Sequence, residues 1–326
     1  MEKTLKFGLL LPHFGAAASI EKCVYGAQRA EAYGFYSLWA RDHLVFKPHE
    51  IEGHDNTHLE SLMLLSAVAS VTKKITLGTA MVICHRHPIH LAQCFAGLSA
   101  IANGRLILGL GLGGFAHEFA AAGRPTALQD RARLARTNVE ICRRLWSGES
   151  VSLADELFRF ESVSLKPVPK RRIPVWIGGG TAAACRRAAD YGDGWLPARI
   201  TLPTFSERIA YLRKLCREAA RPMIETAVMP LTTLGKDLSA ALDGIHLAAI
   251  MEESQRLTSW VTNGLQGAEP SRGIVLAGSP ADIVRECRAY ANAGADQIVF
   301  DLRLRFRDWD EQLERLGEEV LPALRA

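Results

Sequence analysis

Three short stretches carry residue types and spacings that can do chemistry. Arg41-Asp42-His43 closes an apolar run, and an imidazole beside a carboxylate can give or take a proton near neutral pH. Gly178-Gly179-Gly180-Thr181 closes another such run and opens a helical stretch. Backbone amides and the helix dipole make an anion site there, and glycine lets a phosphate come close to the chain. Gly109-Leu110-Gly111-Leu112-Gly113-Gly114 fits the letters of a dinucleotide fingerprint. That fingerprint should open a compact βαβ unit, with an acidic residue about 20 positions on that closes the second strand. Here three βα units precede it, and the stretch near Asp130 is helical. The glycines are better read as keeping a strand end low, so that a flat ring can lie over it. The competing structural readings are Asp42 as a cap with His43 packed among its neighbours, and the triple glycine as a plain turn.

His13, Arg86-His87-Pro88, His117 and Glu118 fall close to the ends of other segments. The ten histidines show no HExxH or paired-ligand spacing, which argues against metal catalysis. There is no GxSxG elbow and no P-loop lysine motif, so serine hydrolysis and P-loop phosphoryl transfer find no support.

The elements that must position these residues alternate along the whole chain. Apolar runs at Leu5–Leu11, Ser37–Ala40, Ile75–Ile83, Arg105–Leu110, Pro174–Ile177, Gly194–Pro197, Glu225–Leu231 and Gln297–Leu302 read as strands buried on both faces. Amphipathic stretches follow each. One is Ile20–Tyr33, with Ser19 as its cap and Gly34 as its stop; another is Pro88–Ile101. Eight strand–helix units predict a (β/α)8 barrel, with a doubly wound sheet as the second choice. Two stretches interrupt the alternation. Residues 148–172 have a hairpin-like pattern and the proline-rich Lys166-Pro167-Val168-Pro169, and residues 232–270 have one helix expected near Ile245–Thr262. They read as insertions after strands four and seven of a single domain. In such a barrel, function gathers where the strands end, which is where the stretches above lie.

Composition agrees. In 326 residues, 48% are hydrophobic and 23% charged, and 39 basic against 35 acidic side chains leave a net charge of +4. That suits an enzyme with a large core and gives no nucleic-acid footprint. The seven cysteines are scattered, as expected of reduced thiols in a cytoplasmic protein. No run approaches the roughly 18 apolar residues of a membrane span, and the N-terminus lacks a secretory pattern.

Taken in order, the segments resemble the bacterial luciferase-like superfamily, above all its branch of oxidoreductases dependent on the deazaflavin F420. The likeness is carried by Phe7–Gly15, Gly34–Leu44, Leu77-Gly78-Thr79 with Arg86-His87-Pro88, Gly104–Gly111 with Glu118-Phe119, Pro174–Gly180 and Gly192-Asp193-Gly194-Trp195. It runs to about Pro197 and loosens beyond. The resemblance implies a TIM barrel with a flavin or deazaflavin in its mouth, the ring flat against the end of strand three. It implies a non-prolyl cis peptide at Ala80-Met81, and ring or tail contacts from Asp42, Ala80, Met81, Ile83, Leu112, Gly113 and His117. The phosphate would lie on Gly179, Gly180, Ala182 and Ala183. His43 would be the catalytic histidine, supplying a proton, with Asp42 orienting it or bonding the ring edge. His13, Phe14, Phe46, Phe115 and Glu118 would face substrate in a water-poor mouth.

Two departures set this chain apart from the sugar-phosphate dehydrogenases of that branch. Gly114 stands in the place of their catalytic glutamate, and Pro197–Thr201 lacks their phosphate-binding threonine and lysine. Hydride transfer with F420 is therefore expected on another small organic substrate. The alternatives are a monooxygenase fed with reduced FMN by a partner reductase and using oxygen, and a non-catalytic flavin-binding barrel. A homodimer is what the resemblance suggests.

Overall fold

A computed structural model describes residues 4–197, 199–262 and 272–325, without the side chains of 255–262. Eight parallel strand positions close on themselves: Lys6–Leu10, Ser37–Ala40, Thr76–Thr79 continued by Val82–Ile83, Leu106–Gly111, Val175–Gly178, Gly194–Leu196, Glu225–Val228 and Gln297–Phe300. Strand one pairs with strands two and eight, and strand three pairs with strand four to seal the ring. This is the (β/α)8 barrel that the sequence predicts, with helices outside.

Local signals explain the elements. Ser19 Oγ accepts the Lys22 amide at the start of helix Ile20–Tyr33, and Gly34 stops that helix in the left-handed region at φ 81°. His87 and Pro88 open Pro88–Ile101 in the same manner. Inside the barrel Trp39 and Trp176 meet at 5.5 Å between ring centroids. Both indoles are fully buried, and Gly78 and Gly194 leave them room.

Strand three is broken in two by a cis peptide at Ala80-Met81, where the resemblance placed it. The insertion after strand four contains the antiparallel hairpin Val151–Ala154 and Arg159–Val163. After strand seven the structure departs from the expected strand Glu225–Leu231. That run stops at Val228, and Leu231–Leu234 leaves the barrel to pair in parallel with Val275–Gly278. The backbone turns at Met229-Pro230, since proline offers no amide to the ladder. The insertion then carries the helices Leu238–Ala241 and Leu247–Thr262, and 263–270 of the expected irregular stretch lie outside the described residues. Among the described residues no helix is long and apolar enough to cross a membrane.

Candidate active site

The chain emerging from strand two runs as one long loop from Arg41 to Glu60 across the C-terminal mouth, with a single 3-10 turn at Glu50–Glu52. It carries His43. Strand four ends at Gly111 and is followed by the short helix Ala116–Ala121, which the alternation of apolar runs did not reveal. That helix aims Glu118 back at the loop.

His43 Nδ1 lies 3.3 Å from each carboxylate oxygen of Glu118. On the other side of the ring, Nε2 lies 3.1 Å from Nη2 of Arg41. A guanidinium can only donate, so Nε2 is the acceptor and the ring proton sits on Nδ1, facing Glu118. The amides of Leu44 and Val45 also donate to Glu118 Oε1, at 2.8 and 3.3 Å. Burial and the Arg41 charge hold the His43 pKa below its usual 6.5, with Glu118 pulling the other way. Burial would raise the Glu118 carboxyl, but His43 and the two amides bring it below its usual 4.5. The site is therefore a neutral imidazole buttressed by an ionised carboxylate.

Two expectations are corrected here. Glu118 is fully buried and so faces His43, not substrate. Asp42 does not orient the imidazole. Its carboxylate accepts from Ser61 Oγ at 3.0 Å, the Ile83 amide at 3.2 Å and Arg86 Nε at 2.9 Å, with Arg86 Nη2 closing a bidentate pair. At 2% exposure and with four donors, Asp42 has no free face for a ring edge. It joins strand two to the end of strand three and to Arg86. Burial opposes ionisation, but Arg86 keeps the Asp42 carboxyl below its ordinary 3.8.

Other expected substrate contacts are sealed as well. His13 is fully buried, its Nδ1 2.9 Å from the Leu11 carbonyl and its Nε2 accepting from the Arg41 amide at 3.1 Å. Burial pushes its pKa down to about 4, so it is a neutral core histidine. Phe14 is buried under the Arg41 guanidinium, 4.4 Å from its ring centroid. Phe46 is buried and tilts against His43 at 5.3 Å. Phe115 is half-buried, 5.9 Å from His43, and forms an accessible wall.

The expected ring floor is where the surface opens. Ala80, Met81, Leu112, Gly113 and His117 are half-buried, whereas Ile83 is sealed beneath Gly113. The glycines have a more specific task than lowering a strand. A Cβ on Gly109 would fall 2.6 Å from Met81 Sδ, one on Gly178 2.7 Å from Met81 Cγ, and one on Gly111 3.1 Å from Met81 Cβ. They make room for Met81. Across the mouth, Gly179 has φ +105° and takes the Trp195 indole N–H on its carbonyl at 2.8 Å. Gly180 turns its carbonyl to Arg208 Nε at 3.2 Å. Thr181 caps helix Ala182–Tyr191, and Gly179, Ala182 and Ala183 are half-buried, whereas Gly180 is buried. A low, methionine-floored shelf next to open helix amides fits a flat tricyclic ring with a phosphate tail.

Residues that the sequence did not single out complete the mouth. Glu52 Oε1 receives Arg41 Nη1 at 2.7 Å and Arg303 Nη1 at 2.6 Å, and Arg303 Nε also holds Asp301 at 2.7 Å. Burial and the Arg303 charge push Arg41 down to about 10, so it stays charged at neutral pH. Glu253 lies between His49 and Arg199. The partners are separated by up to 251 positions, so no local spacing announces them.

A family model described as luciferase-like monooxygenase matches residues 5–297. An F420-dependent glucose-6-phosphate dehydrogenase of Amycolatopsis mediterranei is 27% identical over 92% of this chain and 93% of its own length. An F420-dependent secondary alcohol dehydrogenase, solved with an F420-acetone adduct, superposes with a TM-score of 0.82 at 20% identity, covering 99% of this chain and 100% of that one. The oxygenating constituent of 3,6-diketocamphane monooxygenase of Pseudomonas putida, solved with FMN, has a TM-score of 0.75 at 16% identity over 98% of both chains.

Proposed function

The chain belongs to the luciferase-like monooxygenase family, and from that premise we propose that it is an F420-dependent oxidoreductase that interconverts an alcohol and a carbonyl compound. The observation that carries this reading is the His43 arrangement, a neutral imidazole whose Nε2 is an acceptor and whose Nδ1–H faces an ionised carboxylate. The F420-dependent dehydrogenases among its relatives support the choice of cofactor.

Met81, Ala80, Leu112 and Gly113 would carry the ring. The helix start at Gly179, Gly180, Ala182 and Ala183 would hold the phosphate, with Arg208 alongside. Bound there, F420 supplies a two-electron hydride acceptor at C5 that reacts poorly with oxygen. The protein must then remove the hydroxyl proton as the carbon gives up its hydride and the C–O bond becomes a carbonyl. His43 Nε2 is the one acceptor of the ring, and it takes that proton once the substrate hydroxyl displaces Arg41 Nη2 from it; Glu118 then stabilises the resulting imidazolium. In this direction His43 acts as the base. In the reverse reaction, the same atom returns the proton.

The protein is further proposed to act as a homodimer in the cytoplasm. Met63 (76% exposed) on helix Ser61–Val71 and Ile101 (52%) on helix Pro88–Ile101 are exposed apolar side chains, and all seven cysteines are unpaired thiols. The deciding experiment is a titration of apoprotein with F420 and FMN in parallel. Micromolar or tighter F420 binding, with reduction of F420 by a secondary alcohol, supports the proposal. Preference for reduced FMN, with oxygen consumed when a flavin reductase is added, replaces it with a monooxygenase.

A further inference from the structure

Four arginines stand around the mouth, and each is matched by a carboxylate from another part of the chain. Arg86 holds Asp42, and Arg41 and Arg303 share Glu52. The fourth pair spans the opening. Arg199, just after strand six, brings Nη1 to 3.3 Å from Glu253 Oε2, and His49 brings Nδ1 to 2.6 Å from Glu253 Oε1. Glu253 comes from helix Leu247–Thr262 in the excursion after strand seven and is 3% exposed. The Phe115 ring packs against both this cluster and the His43 imidazole, with centroids 5.3 Å from His49 and 5.9 Å from His43.

A cation and an imidazole converging beside an aromatic wall, one ring from the base, form a place where a charged substituent of a substrate would be gripped. In this chain the grip is already filled. We propose, resting on the reading of the protein as an F420-dependent alcohol oxidoreductase, that Glu253 is a built-in counter-anion that closes this subsite to phosphate and carboxylate groups. The substrate is accordingly a neutral, mainly apolar alcohol or its carbonyl partner.

Three physical points support this. An incoming phosphate would have to share Arg199 with a carboxylate already in contact with it, and like charges held together in a desolvated site repel strongly. Displacing Glu253 would leave a buried carboxylate without its partners, which is the costly way to break a buried pair. Phe115, Leu112 and Met81 give the rest of the wall apolar contact area, and no charged side chain is among them. The glucose-6-phosphate dehydrogenase relative is named for a phosphorylated sugar. In this chain Arg199 and His49 already have Glu253.

The test is a calorimetric titration of apoprotein with inorganic phosphate, comparing wild type, Glu253→Gln and the double variant Glu253→Gln/Arg199→Gln. Removing the carboxylate that neutralises Arg199 should tighten phosphate by about tenfold or more, and the double variant should lose the gain. Phosphate bound at the Gly179–Ala183 helix start contributes equally to all three and cancels. A folded Glu253→Gln protein that binds phosphate no better than wild type overturns the proposal. So does a wild-type protein that oxidises a hexose phosphate faster than a neutral secondary alcohol, and that comparison decides the matter if the variant does not fold. The titration uses no cofactor. A phosphate gain in a protein that fails to bind F420 would therefore remove the cofactor assignment and leave the filled subsite standing.

Discussion

The imidazole of His43 and the carboxylate of Glu118, 75 positions apart, face each other at 3.3 Å inside the mouth of the barrel. The carboxylate next to His43 in the chain, that of Asp42, is turned away to Arg86. Adjacent residues leaving a strand point to opposite sides, so His43 and Asp42 enter different environments.

Glu118→Gln tests the pairing. Glutamine keeps an acceptor for the Leu44 amide but removes the charge that favours the imidazolium. The acid limb of kcat/KM reports His43 losing its proton and lies below pH 6.5, since its pKa is lowered in the folded protein. In the variant the limb should move to still lower pH, and kcat should fall by about 10- to 100-fold because the base is weaker. A pH–rate profile reads both, and a limb that moves upward or a kcat that holds refutes the pairing.

His43→Ala should abolish turnover, by roughly 100- to 10,000-fold, while F420 binding stays within a few-fold of wild type. Fluorescence titration beside a steady-state assay separates the two effects. Equal losses in binding and turnover would show that His43 holds the cofactor instead.

Asp42→Asn should act on stability. It removes the charge of the bidentate pair and leaves the Arg86 guanidinium with Glu60 alone, a change that costs about 1–3 kcal/mol and is read in denaturant midpoint. The wild-type pair also gives an acid limit. Because the folded carboxyl titrates below 3.8, its contribution is complete above that pH and is lost as the pH falls through the lowered value. The variant should show a smaller acid-induced loss.

Gly109→Ala should destabilise the protein far more than Gly114→Ala. A Cβ at Gly109 would lie 1.9 Å from the Thr79 carbonyl oxygen, whereas one at Gly114 meets nothing within 4 Å. The second change is expected to stay within about 0.5 kcal/mol of wild type, and thermal melts of the two variants suffice.

Met63→Lys should shift the proposed dimer to monomer, because it puts a charge in place of the exposed apolar side chain of helix Ser61–Val71. Light scattering gives the answer directly, and a wild-type monomer removes the dimer from the reading.

The barrel was legible because each strand is a continuous apolar run followed by a helical stripe and its caps. Ser19, His87 and Thr181 all cap the helices they precede. The glycine-rich strand ends and His43 were legible for the same reason, since residues at the end of a buried strand have few tasks apart from turning the chain or serving a site. The partners of His43 and Arg41 were not legible. Glu118 sits on a helix of only six residues, too short to show a period. Glu52, Arg303 and Glu253 come from loops and a late insertion that only closure of the barrel brings together. His13 misled because a fully buried histidine bonded to two backbone groups looks, in sequence, like any histidine at a strand end.

The methionine at the break in strand three has a bearing on how this chain can drift over generations. A Cβ at Gly178 would meet the Met81 side chain from Cγ outward, one at Gly111 would meet the Met81 Cβ first, and one at Gly109 the Thr79 backbone. A lineage that shortened the side chain at 81 would thereby release 178 to gain a methyl group, but not 109 or 111, whose nearest neighbours would remain. One of the three glycines is thus tied to one neighbour's bulk, and there the order of change is fixed: the methionine must shrink first.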